Sequence, residues 1–65
     1  MPDYEVDTYR LRYDLLDYFG SAIEYNPMAV MEVSRVESAS ADELIRIAIE
    51  NGFNINNYIK NSRGR

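Results

Sequence analysis

Neither cysteine nor histidine occurs in this chain of 65 residues, and tryptophan is missing as well. Without thiols there is no disulfide and no thiolate metal site to staple so short a fold. Without imidazole, the commonest general base and a common zinc ligand are both excluded. Serine, lysine and carboxylates are present, yet nothing stands ready to activate a nucleophile, so no catalytic site and no cofactor are expected. Only three glycines occur, scattered as Gly20, Gly52 and Gly64, which excludes a glycine-rich phosphate loop and any small-molecule site built on one. The longest uninterrupted apolar run, Met28 to Met31, is too short to span a bilayer, and no signal-like pattern opens the chain. A cytoplasmic location is therefore expected. The formal net charge of −4 weighs against nucleic acid and anionic membrane as partners. Lys60, Arg63 and Arg65 make a small basic tail, but no array of base-stacking aromatics accompanies it.

What is present is apolar: 46% of residues are hydrophobic and six are tyrosine, too rich for a disordered segment. The length allows one domain, whose own core is marginal because a chain of about 60 residues buries only about 60% of the surface its unfolded form exposes. The pattern predicts an all-α fold, a compact three-helix domain over residues 1–60 with a short fourth helical turn at its C-terminal end and a loose tail over 61–65. The clearest segment is Ser38 to Tyr58. Ser40 and Glu43 stand in the S-x-x-E arrangement of a reciprocal capping box, apolar residues follow at helical spacing from Ala41 to Asn51, and Gly52 sits where a left-handed residue ends a helix. Phe53 is expected to fold back onto Ile47 or Ala48. Asn54 is then placed to cap a last turn in which Ile55, Tyr58 and Ile59 share a face. Upstream, Asp3 or Asp7 caps a first helix running from about Thr8 to Glu24, and Asn26-Pro27 breaks it and starts a second that ends near Val36. The alternation from Val6 to Tyr13 also suits a strand, a reading ranked second because a lone strand has no partner.

On a wheel of roughly 100° per residue, Arg10, Asp14, Asp17, Ser21 and Glu24 collect in one polar stripe about 80° wide. Tyr9, Leu11, Tyr13, Leu15, Leu16, Tyr18, Phe19, Ala22, Ile23 and Tyr25 cover the remainder. Either the other helices cover this rod, or a second molecule completes the job; so few residues favour the partner, and tyrosine favours it again because it is enriched at interfaces. Arg12 falls inside the apolar arc between Leu16, Phe19 and Ile23. It either extends to water along its stem or pairs across an interface, with Glu32 or Glu37 as candidates. Gly20 within a helix suggests close approach of a neighbour near Ala29, or else a kink. In the second helix Ala29, Val30, Val33 and Val36 make one face, while Met28 and Met31 point elsewhere, as core filler or as adaptable contacts. Asp14 and Asp17 one turn apart, with Ser21 beyond, read as a solvated face rather than a metal site. The second and third helices could be drawn as a helix-turn-helix, but Asp42 and Glu43 would repel phosphates at the head of the reading helix.

Two stretches resemble known sequences. Asp17 to Ala22, reading DYFGSA, followed by N-P-M-A and SADELIRIAIENGF, resembles short bacterial helical proteins of the same layout, a similarity that implies no activity. Asp42-Glu43-Leu44 through Ala48 and Glu50 to Gly52 and Phe53 resembles the D-E-L…A-x-E-x-G-F signature of Nif11-type leader peptides. That family implies a segment that helps a modifying enzyme dock on a precursor. No Gly-Gly cleavage site follows it here, and no cysteine- or serine-rich core peptide. The expected function is thus a non-catalytic protein–protein interaction module, self-associating through Arg12, Leu15, Tyr18, Phe19, Tyr25, Met28 and Met31. The alternative is a small acidic inhibitor or decoy occupying a basic site on an enzyme, motivated by Asp14, Asp17 and Glu24.

Overall fold

The computed structural model describes residues 4–61, with side chains described for 5–60. Among them the order is a strand β1 (Tyr4–Val6), helices α1 (Thr8–Ala22), α2 (Ala29–Ser38) and α3 (Ala41–Glu50), a 3-10 turn (Ile55–Tyr58) and a strand β2 (Ile59–Asn61). The all-α expectation of three helices plus a short fourth turn holds. The two strands are the addition. They pair antiparallel, with Tyr4 opposite Asn61, Glu5 opposite Lys60 and Val6 opposite Ile59. β1 overlaps the Val6 to Tyr13 alternation only at Val6, since that segment is helical from Thr8 onward, and its partner comes from the other end of the described residues. Asn61, expected to open a loose tail, closes this ladder, and residues 62–65 lie outside the described residues.

Local chemistry sets most boundaries. Of the two aspartates considered for the first cap, Asp7 serves, its carboxylate accepting from the Arg10 N–H at 3.2 Å; Asp3 lies outside the described residues. The side chain and carbonyl of Asn26 take the N–H groups of Met28 and Ala29 at 3.2 and 2.9 Å, so it opens a tight turn that feeds α2 two residues later than expected. Ser40 Oγ accepts from the Glu43 N–H at 3.3 Å. The reciprocal half of that box does not form, because the Glu43 carboxylate turns instead to Arg35, 2.9 Å away. At the other end of α3, Gly52 adopts φ 82°, a conformation costly for any residue with a Cβ. The Phe53 N–H reaches Ala48 O at 2.9 Å and the Gly52 N–H reaches Ile49 O at 3.1 Å, the paired bonds of a Schellman terminus. Asn54 caps the 3-10 turn through the Asn56 N–H at 3.0 Å.

The core is one cluster: Leu11, Leu15 and Phe19 from α1, Val36 and Ala39 from α2 and its end, Leu44, Ile47 and Ala48 from α3, and Tyr58 from the 3-10 turn. Leu11 and Leu15 are 0% exposed and Phe19 is 7% exposed within the single chain. This corrects the expectation that α1 needs a second molecule to cover it. α1 is the central element, packed against α2, α3 and the 3-10 turn alike. The fully shielded stripe is the i, i+4, i+8 line of Leu11, Leu15 and Phe19, about 80° wide, with Leu16 partly buried beside it. The tyrosines that widened the arc on paper stand outside it, with Tyr9, Tyr13 and Tyr25 exposed. Ile59 is likewise exposed in β2, so the expected shared face of Ile55, Tyr58 and Ile59 reduces to Ile55 and Tyr58.

Candidate interaction surface

The expected interaction residues divide into those the fold consumes and those it leaves free. Leu15 and Phe19 are consumed, buried in the core, and cannot meet a partner. Arg12 is consumed too. Its guanidinium reaches neither Glu32 nor Glu37 but donates from Nη2 to the carbonyl of Ala39 at 2.5 Å, just past the C-terminal end of α2. A cation there also meets the negative end of the α2 dipole. The Arg12 Nε is buried with no partner, so the side chain is held by one strong contact and by packing.

Tyr18 is intermediate in use. It is 47% exposed, yet its ring meets Phe19 edge-on at 5.0 Å and Phe53 at 5.3 Å, which fastens the end of α3 to α1. Phe53 folds back onto the core cluster as expected, and Tyr18 is the aromatic partner the sequence did not disclose. A Cβ added at Gly20 would meet no neighbouring element within 4 Å, which corrects the expectation of a close helix approach.

Of the expected contacts, those left free lie at the corner between α1 and α2. Tyr25 is 87% exposed, Met28 64%, Met31 61% and Val30 52%. Val30 therefore leaves the face proposed for α2, which consists of Ala29, Val33 and Val36. The methionines lie exposed on the outside rather than serving as core filler. No charged side chain occurs from Tyr25 to Met31, in a chain that is 28% charged. The N–H groups of this corner are all engaged: Tyr25 and Asn26 donate to Ala22 O at 3.0 and 2.8 Å. Ala29, Val30 and Met31 donate to Asn26, Pro27 and Met28 carbonyls at 2.9, 3.2 and 3.0 Å. With Met28 bonded to Asn26 Oδ1, every N–H from Tyr25 to Met31 is donated, Pro27 having none to give. The apolar side chains thus project from a backbone already fixed.

The polar stripe of α1 is also only partly solvated. Tyr58 lies across its N-terminal half, donating from its hydroxyl to Asp14 Oδ2 at 2.6 Å while the Arg10 guanidinium sits 5.5 Å from its ring centre. The hydrogen bond to Asp14, then burial, push the Tyr58 phenol above its usual range. Asp17 and Glu24 stay exposed. Among the described residues, no group of acidic side chains is arranged to hold a metal ion and no helix is long and apolar enough to cross a membrane. Within Asp42 to Phe53, Leu44 and Ala48 are buried and Phe53 is half-buried against the domain's own core. Comparison with protein-family models, curated proteins and solved structures finds no match.

Proposed function

We propose that the protein is a non-catalytic, cytoplasmic interaction module that associates with a second copy of itself through the α1–α2 corner, with Tyr25, Met28, Val30 and Met31 as its contacts. The observation that carries this reading is the coincidence, over one short stretch, of exposed apolar side chains, absence of charge and backbone N–H groups that are all donated. A prefixed backbone lowers the ordering cost of association. Methionine supplies a surface that adapts its shape, and tyrosine supplies area with a polar tip. A homotypic contact also suits the charge. Two copies each carrying −4 repel, and they approach with least penalty over a stretch that holds no charge. A standard interface takes about 800 Å² from each partner. The chain has 4821 Å² of accessible surface, so the contact would engage the corner and its immediate surroundings rather than the whole body.

The test is dilution of isotope-labelled protein followed by amide resonances. Association at the corner moves signals of residues 25–31 with concentration and leaves those of the β1–β2 ladder in place. Shifts centred on Asp17 and Glu24, or none at millimolar protein, count against it. A second reading, an acidic ligand for a basic site on another protein, is supported by the exposed Asp17 and Glu24. Binding of that kind weakens steeply with salt, whereas corner association does not.

A further inference from the structure

The helix terminus at Asn51-Gly52 carries a chemical consequence separate from any binding. In an Asn-Gly pair the backbone nitrogen of the glycine, unhindered by a Cβ, can attack the asparagine side-chain carbonyl carbon. We propose that Asn51 is a spontaneous modification site, and that opening of the last turn of α3 controls its rate. In the closed structure both reacting groups are occupied. The Gly52 N–H donates to Ile49 O at 3.1 Å, and Asn51 Nδ2 donates to Ile47 O at 2.8 Å. The Asn51 N–H is shared between Ile47 O and Ala48 O, each at 3.1 Å, and Phe53 anchors the following residue against Tyr18. Rotation of the Asn51 side chain toward the Gly52 nitrogen breaks the bond to Ile47, and freeing that nitrogen breaks the bond to Ile49.

Once open, hydroxide removes the Gly52 amide proton and the nitrogen attacks Cγ of Asn51. The new N–Cγ bond forms, the Cγ–Nδ2 bond breaks, and ammonia leaves with a proton taken from water. Water then adds to either carbonyl of the five-membered succinimide, giving aspartate or isoaspartate. No oxidant, metal or cofactor takes part. Either product loses the donor to Ile47 O and places a negative charge beside Glu50 at the negative end of the α3 dipole. Isoaspartate also lengthens the main chain by one methylene between Ile49 and Phe53, which misaligns both bonds of the terminus. Each conversion therefore makes the turn easier to open, and the change is one-way.

Intact protein incubated near neutral pH, folded or in concentrated urea, is digested, and the Asn51 peptide is quantified by mass and by isoaspartyl labelling. In urea, Asn51 converts ahead of every other asparagine. In the folded protein it converts at least about tenfold more slowly, which corresponds to an opening free energy of about 1.4 kcal/mol or more. Phe53→Ala leaves the dipeptide intact and speeds conversion in the folded state, and Asn51→Gln abolishes it. Equal rates in the folded and unfolded protein, or another asparagine reacting first in urea, overturn the proposal. The folded-to-unfolded ratio of the unsubstituted chain decides the matter even where Phe53→Ala folds poorly.

Discussion

At the scale of single residues, the decisive fact is where Arg12, Tyr58 and Gly20 place their atoms. Arg12 serves as a cap on the end of α2, so its removal leaves the Ala39 carbonyl without its donor. Arg12→Ala should cost about 1–3 kcal/mol in urea unfolding; a loss below a few tenths would show that the contact is idle. Gly20 is exposed with open space around it and sits within α1, so Gly20→Ala should stabilise by about 0.5–1 kcal/mol, read as a higher melting temperature. Tyr58 gives a pH signature. Its phenol is held above the usual range by its hydrogen bond to Asp14, so its contribution is complete below the ordinary tyrosine value of about 10. That contribution is lost as pH rises through the elevated folded value, where a phenolate would face the Asp14 carboxylate. Urea midpoints should fall on the alkaline side, and Tyr58→Phe should flatten that fall while removing about 1 kcal/mol at neutral pH. None of these three placements was legible in the sequence. Tyr58 and Asp14 are 44 positions apart, Arg12 and Ala39 are 27 apart, and spacing along a helix says nothing about either pair.

At the scale of elements, the punctuation was readable because each cap is local. Asp7, Ser40, Gly52 and Asn54 act on backbone groups within a few residues of themselves, and all four stand where their chemistry places them. Ser40→Ala should therefore cost about 1 kcal/mol, measured by denaturant unfolding. Glu43 shows the limit of such reading. A carboxylate able to reach back to Ser40 can also reach Arg35 on a neighbouring helix, and Arg35 already holds Glu32 at 3.3 Å. The resulting triad is on the surface and so is sensitive to salt. The β1–β2 ladder was hidden for a different reason: short strands acquire meaning only from their partners, and these partners lie at opposite ends of the described chain. On α1, helical periodicity placed Leu11, Leu15 and Phe19 within a broad apolar arc but could not rank the tyrosines beside them. A tyrosine tolerates either environment, and only the positions of α2 and α3 decide which it meets.

At the scale of the whole molecule, the chain closes its own core, and the case for a partner rests on what remains outside. Tyr9, Tyr13 and Ile49 are exposed as well, but the corner of Tyr25, Met28, Val30 and Met31 gathers four such side chains in one uncharged stretch of an acidic domain. Sedimentation equilibrium of the unsubstituted 7.6 kDa chain, beside a Tyr25→Glu, Met28→Glu double variant, tests this most directly. The account predicts that the unsubstituted chain forms dimers at tens of micromolar protein, with the double variant dissociating at least about tenfold more readily, or about 1.4 kcal/mol. A monomer at every concentration, or a dimer that the double variant leaves intact, would contradict it.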